Sequence, residues 1–158
     1  MGCNNVAYKI FHDLDGVHAD IAKAVHELTG ITYDRITKKQ FWDAVNLEPN
    51  FFGDLPRLHD SEVLLAHTHH MTEAVLTALP RRHNGADQKR RWVKQHLGDY
   101  KVIVVPAKNK ADYAAPNHIL IDDTERNIKW WREAGGIGIL HRSAEETIFE
   151  LNKLMPLK

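Results

Sequence analysis

The chain is short of several things, and each shortage excludes a class of protein. Its 158 residues include a single cysteine, Cys3, so no internal disulfide can staple the fold and a reducing compartment is expected. No apolar run approaches the ~18 residues that a membrane span needs. Mean hydropathy is −0.44, and no membrane partner is expected. An excess of one charge is missing too: 21 Lys and Arg face 21 Asp and Glu. That balance argues against the uniformly basic surface of a stable nucleic-acid binder. Repeats and low-complexity tracts are absent, and 43% hydrophobic with 27% charged residues excludes disorder and fibres. Met1-Gly2-Cys3 is not followed by the Ser or Thr that N-myristoylation requires at the sixth position, where Val6 stands. Nor do the residues behind it supply the apolar core of a secretory leader. A cytoplasmic location is the expectation.

What is present alternates between strand-like and helix-like segments. Val6 to His12 is an apolar run that stops at Asp13-Leu14-Asp15-Gly16. A helical pattern from Val17 to Leu28 is stopped by Gly30, Thr37 caps a second helix carrying Phe41, Trp42 and Val45, and Asp60 or Ser61 caps a third. The beat then becomes regular. Strands are predicted over 74–79, 101–105, 118–121 and 137–140, with helices over 86–97 and 124–134 and a last one behind the capping box Ser143-Ala144-Glu145-Glu146. The β-branched run KVIVV (101–105) reads as a strand buried on both faces. Five strands alternating with helices predict an α/β fold with a five-stranded parallel sheet between two helical layers. Residues 18–71, between the first two strands, are too long for one crossover and too helical for a loop. They are predicted to form a small helical cap on a core of residues 1–17 and 72–158.

Open parallel sheets bind ligands beyond the carboxyl ends of their strands. Asp13 and Asp15 follow the first predicted strand, Thr77 lies near the end of the second, and Asp122-Asp123 end the fourth. Lys108 and Lys110 follow the third. Four carboxylates on one rim repel one another unless a cation joins them, and an oxygen-rich donor set suits a hard ion, Mg²⁺. The plainer alternative, a solvated Asp13/Asp15 turn and an Asp122 helix cap, leaves the coincidence of three strand ends unexplained.

These residues resemble the four motifs of the haloacid dehalogenase (HAD) superfamily. YKIFHDLDGVHAD resembles its first motif, Thr77 in AVLTALP the second, Lys110 in KNKADYA the third and ILIDD the fourth. Within the superfamily the chain is most similar to the 5′(3′)-deoxyribonucleotidases and their small bacterial and phage relatives. PNFFGDLP (49–56), LTALP (76–80), the spacing to Lys89 and Trp92, and HILIDDTERNI (118–128) carry that likeness. His12 and His18 depart from it, standing where apolar residues are usual.

The resemblance implies a Rossmann-like three-layer fold and a Mg²⁺-dependent phosphomonoester hydrolase working through a phosphoaspartate. Its expected substrate is a (deoxy)nucleoside monophosphate. Asp13 would be the nucleophile, and Asp15 the acid for the leaving oxygen and then the base for water. Asp13, Asp15 and Asp122 would hold Mg²⁺, with Asp123 acting beside them through water. Thr77, Ala78 and Lys110 would bind the phosphoryl oxygens.

Phe51 and Phe52, the most exposed-looking apolar pair of the cap by local pattern, would either anchor it or wall a base pocket. Lys108 is the rival of Lys110. The run Arg81, Arg82, Lys89, Arg90, Arg91 and Lys94 reads as a solvated helix face, with steering of anionic substrates as the alternative. His67-Thr68-His69-His70 reads as solvated or helix-terminal, because no Cys or carboxylate stands near to complete a metal site. Two rival functions stay open: a phosphatase for sugar phosphates or polynucleotide ends, and a phosphate-binding module without turnover.

Overall fold

β1 (Lys9–His12) is the centre of the molecule, and the computed structural model describes the chain around it over residues 6–156. The reading of Met1-Gly2-Cys3 falls outside those residues. β1 pairs in parallel with β2 (Thr72–Ala78) on one side and β4 (His118–Asp122) on the other. β3 (Val102–Val105) and β5 (Ile137–Leu140) extend the sheet to the order β3-β2-β1-β4-β5. The chain therefore leaves β1 towards one edge and later returns to build the other, which makes β1 the switch point where clefts form in such sheets.

Alternation along the strands divides the core. Ile10, Ile119, Ile121 and Ile139 face one side, where Leu64 and Leu151 cover them. Phe11, Leu76 and Leu120 face the other, against Ile128 and Trp131 of α5 (Glu125–Glu133). α6 (Ala144–Leu154) closes the first face, and Ser143 Oγ caps it by accepting from Glu146 N at 3.2 Å. The four residues of β3 are only half-buried. The expectation of a strand covered on both faces fails because β3 is an edge, and a β-branched run cannot distinguish edge from centre.

Three helices stand between β1 and β2: α1 (Ile21–Thr29), α2 (Lys38–Val45) and α3 (Ser61–Thr68). α1 ends at Gly30 in the left-handed conformation, and Thr37 with Gln40 forms a full capping box on α2. α3 lies along α6, where Asp60 Oδ2 accepts from Ala144 N at 2.8 Å. The chain entering α1 and the chain leaving α2 are tied together at Ala19 and Arg57, ahead of α3. α4 (Gly85–His96) follows β2 and buries Trp92 and Val93 against the insertion's Phe51, Phe52 and Leu55. Among the described residues, no helix is long and apolar enough to cross a membrane.

Candidate active site

Register decides what meets at the sheet rim. His12 of β1 lies opposite Val75 of β2 and Ile121 of β4. The next residue, Asp13, therefore falls beside Asp122, and its amide donates to Ile121 O at 2.8 Å. Thr77, two residues beyond Val75, reaches the same rim from the other neighbour. Past Asp13 the chain reverses, with the amides of Val17, His18 and Ala19 converging on Leu14 O at 3.2, 2.9 and 3.0 Å. Gly16 makes this possible. Its φ is +86°, and a Cβ there would lie 1.9 Å from Asp123 Oδ2, so the turn needs a residue without a side chain.

Two buried lysines organise the carboxylates. Lys110 Nζ donates to Asp13 Oδ1 and to Asp122 Oδ2, at 2.8 Å each. Burial alone would lower its pKa, but the two carboxylates outweigh burial and push it up. Lys108 is exposed, so the structure brings Lys110 and not its rival to the carboxylates. Lys89 Nζ donates to Asp15 Oδ2 at 2.9 Å, Thr77 Oγ1 at 3.0 Å and Ala78 O at 2.8 Å. It stands 5.2 Å from the centre of the Phe52 ring. With 2% exposure, Lys89 is not on a solvated helix face. It lies on the inward side of α4 with Gly85, Trp92 and Val93, and helical spacing from Trp92 was the signal that the charge run obscured.

Asp122 is the most firmly held of the acids. Its Oδ1 accepts from Thr124 N at 2.9 Å, and its Oδ2 accepts from Asn127 Nδ2 at 3.1 Å as well as from Lys110. Asp13 has its pKa raised well above the carboxylate range, first by burial and next by Asp122, with Lys110 opposing. Burial and Asp122 likewise push Asp123 up to about 6. From the insertion, the Tyr33 phenol is pushed up to about 12 by burial and then by Asp15, Asp123 and Asp13. Tyr33, nearly half exposed, is a residue of the insertion that the sequence did not single out.

The aromatic pair is placed differently from the expectation of exposure. Phe51 and Phe52 are 6% and 3% exposed and stack edge-on at 5.2 Å, with Phe41 and Trp42 against them. Gln88 of α4 holds the loop, accepting from Phe52 N at 3.0 Å and donating to Pro49 O at 3.1 Å. In this structure the pair anchors the insertion, and only the Phe52 face reaches the site, beneath Lys89. The basic run is divided as well. Arg82 donates to the carbonyls of Val45, Glu48 and Pro49, whereas Arg81, Arg90, Arg91 and Lys94 are exposed.

No family model matches the chain, and no curated protein does. Solved structures do. A hydrolase from Streptococcus pneumoniae TIGR4 is 12% identical with a TM-score of 0.53, covering 96% of this chain and 100% of its own. A HAD family hydrolase from Deinococcus radiodurans R1, with bound phosphate and sodium, is 12% identical with a TM-score of 0.55, covering 89% of this chain and 85% of its own. A hydrolase from Pseudomonas syringae is 13% identical at a TM-score of 0.50, covering 83% and 82%. The fold is that of the HAD hydrolases.

Within that HAD fold, the fit to a divalent cation can be judged from the donor set. Asp13, Asp122 and Asp123 each bring a carboxylate oxygen within 4.8 Å of the others. With Asp15, the rim carries four carboxylates and two ammonium groups, so among the described residues its acids outnumber the cations paired with them by two. Asp13 and Asp123 are raised by burial first and then by the neighbouring carboxylates. An all-oxygen cluster with that charge fits Mg²⁺. Two buried side-chain oxygens among the described residues also lack a hydrogen-bond partner, Asp15 Oδ1 and Asn127 Oδ1. Both belong to this site.

Proposed function

We propose that this chain is a phosphomonoester hydrolase in which Asp13 attacks phosphorus and is transiently phosphorylated. The observation that carries the reading is the division of the rim into two groups, each centred on a buried lysine. Asp13 and Asp122 share Lys110, and Asp15 and Thr77 share Lys89. Asp13, Asp122 and Asp123, the last in place of the Asp15 expected from the sequence, would hold Mg²⁺, which when bound neutralises phosphoryl charge and lets a carboxylate approach phosphorus. Asp13, at the end of the central strand, is held by the hydrogen bond its backbone N–H donates to Ile121 O of β4 and by Lys110, so it presents one oxygen in a fixed direction. Lys89 holds Asp15 by its Oδ2 and leaves Oδ1 without a partner among the described residues, the place for a proton passed to the leaving oxygen and later taken from water. The Thr77 hydroxyl, the Ala78 amide and the Lys110 ammonium would bind the non-bridging oxygens as charge develops.

The substrate class we favour is a (deoxy)nucleoside monophosphate. It rests on the likeness of 49–56, 76–80 and 118–128 to the 5′(3′)-deoxyribonucleotidases and on the aromatic insertion beside the rim. The phosphate bound by the Deinococcus radiodurans neighbour supports a phosphate-bearing ligand. Release of p-nitrophenol from p-nitrophenyl phosphate, with Mg²⁺ and after chelation, tests the chemistry. A panel of 5′- and 3′-monophosphates beside sugar phosphates tests the substrate. Asp13→Asn should lower turnover by roughly 10⁴–10⁶ with the fold intact. Wild-type-like activity in that variant, or full activity after exhaustive chelation, would defeat the mechanism.

A further inference from the structure

The neutrality of the chain conceals a local excess. Seven of its 21 Lys and Arg but only two of its 21 Asp and Glu fall within residues 81–101. That segment therefore carries five surplus positive charges, and the rest of the chain five surplus negative ones. α4 lies at its centre. Lys89 and Trp92 point inward, and helical spacing puts Arg90, Arg91 and Lys94 together on the opposite, exposed face. A solvated helix face gains from pairing its charges at i,i+3 or i,i+4. The four other helices that expose lysines each hold such a pair: Lys23–Glu27 in α1, Lys39–Asp43 in α2, Lys129–Glu133 in α5 and Lys153–Glu150 in α6. α4 does not. Among the described residues, the only ion pair made by 81–101 is the buried Lys89–Asp15, although Asp87 stands one turn before Arg90 and Arg91. Arg90 donates instead to Val102 O at 2.6 Å and Arg91 to Asn50 Oδ1 at 3.4 Å, both uncharged acceptors.

These cations form a stripe that starts at the site. Arg81 follows β2 where Thr77 and Ala78 meet the rim, and Lys89, early in α4, reaches back to Asp15. From there the helix leads away from the rim over about 18 Å, at ~1.5 Å per residue. It passes Arg90, Arg91 and Lys94, and the chain comes to Lys101 just before β3, at the far end of the sheet. Charges that distant cannot serve a small anion held at the rim, because screening confines their pull to about 8 Å at physiological ionic strength. A ligand with a negative charge on every unit of its length uses them all, and the guanidinium fork suits phosphate.

We propose that the exposed face of α4 holds the phosphate backbone of a single-stranded nucleic acid whose phosphorylated end enters the site. Water replaces the terminal phosphoryl group, leaving a hydroxyl end and inorganic phosphate. A single strand is implied because Asp13 is 6% exposed and the end must thread to it. This rests on the hydrolase reading above and widens its substrate from a free nucleotide to the last nucleotide of a strand.

The test compares kcat/KM for single-stranded dodecamers phosphorylated at the 5′ or the 3′ end, the matching mononucleotides and p-nitrophenyl phosphate. With about three or four backbone contacts, raising salt from 50 to 200 mM should lower kcat/KM for the better dodecamer about 20–50-fold, and for its mononucleotide far less. The double variant Arg91→Gln/Lys94→Gln removes two exposed cations. At 50 mM salt it should lower the ratio of kcat/KM for the dodecamer to that for p-nitrophenyl phosphate about tenfold or more, and make the salt dependence shallower. An unchanged ratio in that variant, or a dodecamer no more salt-dependent than the mononucleotide, would overturn the assignment. So would binding to phosphatidylserine vesicles without hydrolysis of the dodecamers. If wild-type protein still turns over p-nitrophenyl phosphate with Mg²⁺, each of these results leaves the hydrolase reading standing. Absence of that turnover would remove the reading and this assignment with it.

Discussion

Lys89 shows how much a single side chain can carry. A lysine buried to 2% exposure must find partners for its charge, and this one finds a carboxylate, a hydroxyl and a carbonyl on two different strand ends. Replacing it removes a cation from a rim already short of them and frees Asp15 and Thr77 to reorient. Lys89→Met should therefore lower kcat about 10²–10³-fold, the range seen when one preorganised donor is lost. The loss should be larger for alkyl phosphates, whose leaving oxygen needs Asp15 as acid, than for p-nitrophenyl phosphate, whose leaving group departs without help. Equal losses on both substrates would mean that Lys89 serves the phosphoryl group and not the leaving oxygen. Circular dichroism must accompany the kinetics, because breaking a buried pair also destabilises the fold.

At the scale of elements, α4 is the strut between sheet and insertion. Gln88 and Arg82 grip the loop before Phe52, and Trp92 Nε1 donates to Leu55 O at 2.7 Å behind it. Removing the Gln88 amide leaves the buried Phe52 N–H without an acceptor. Gln88→Leu should cost about 1–3 kcal/mol and speed hydrogen exchange at the Phe52 amide ahead of the sheet amides. Exchange rates at Phe52 equal to wild type would show that the aromatic packing alone fixes the loop. This strut is also where the sequence was hardest to read. The strands and the motif residues at their ends were legible, since an apolar run ending in Asp-Leu-Asp-Gly or in Asp-Asp marks both the strand and its carboxyl end. The placing of β3 at an edge was not, because burial depends on what lies beside a strand and not on its own residues. The burial of Phe51, Phe52 and Lys89 escaped for a related reason. A loop aromatic or a helical lysine looks solvent-facing until the opposing surface is known. Asn127 gave one faint sign, a polar residue on a helix face otherwise built from Ile128 and Trp131.

The whole molecule carries two buried groups of titratable residues that respond to pH in opposite directions. His12 and His18 share a hydrogen bond of 3.0 Å, with Ser61 on His18 at 2.7 Å and Thr72 on His12 at 3.1 Å. Burial, helped by His141, depresses His12 to about 3, and burial followed by His12 lowers His18 well below its ordinary value. For this pair the unfolded chain takes up protons first. Its contribution to stability is present above about 6.5 and is lost as pH falls from there towards 3. The carboxylates work the other way. Asp123 at about 6, and Asp13 raised with it, take up protons in the folded chain before the unfolded one. That contribution is full below about 4 and is lost as pH rises through about 6, where the folded rim must ionise against its own charge. Mg²⁺ held as proposed would act only on the second group, by adding positive charge among the carboxylates. The rise in Tm given by saturating Mg²⁺ over EDTA should therefore be small at pH 5 and grow through pH 6 to a plateau near pH 8. Asp123→Asn, which removes one of the ionising carboxylates, should raise the Tm in EDTA at pH 8 and shrink the Mg²⁺ increment there. The further loss of stability below about pH 4 should be untouched by that substitution, because there Asp123 is protonated in the folded and unfolded chain alike while the histidine pair still responds. A Mg²⁺ increment that stays constant from pH 5 to 8 would mean that the rim carboxylates are already compensated within the chain, and the charge argument for the cation would fall with it.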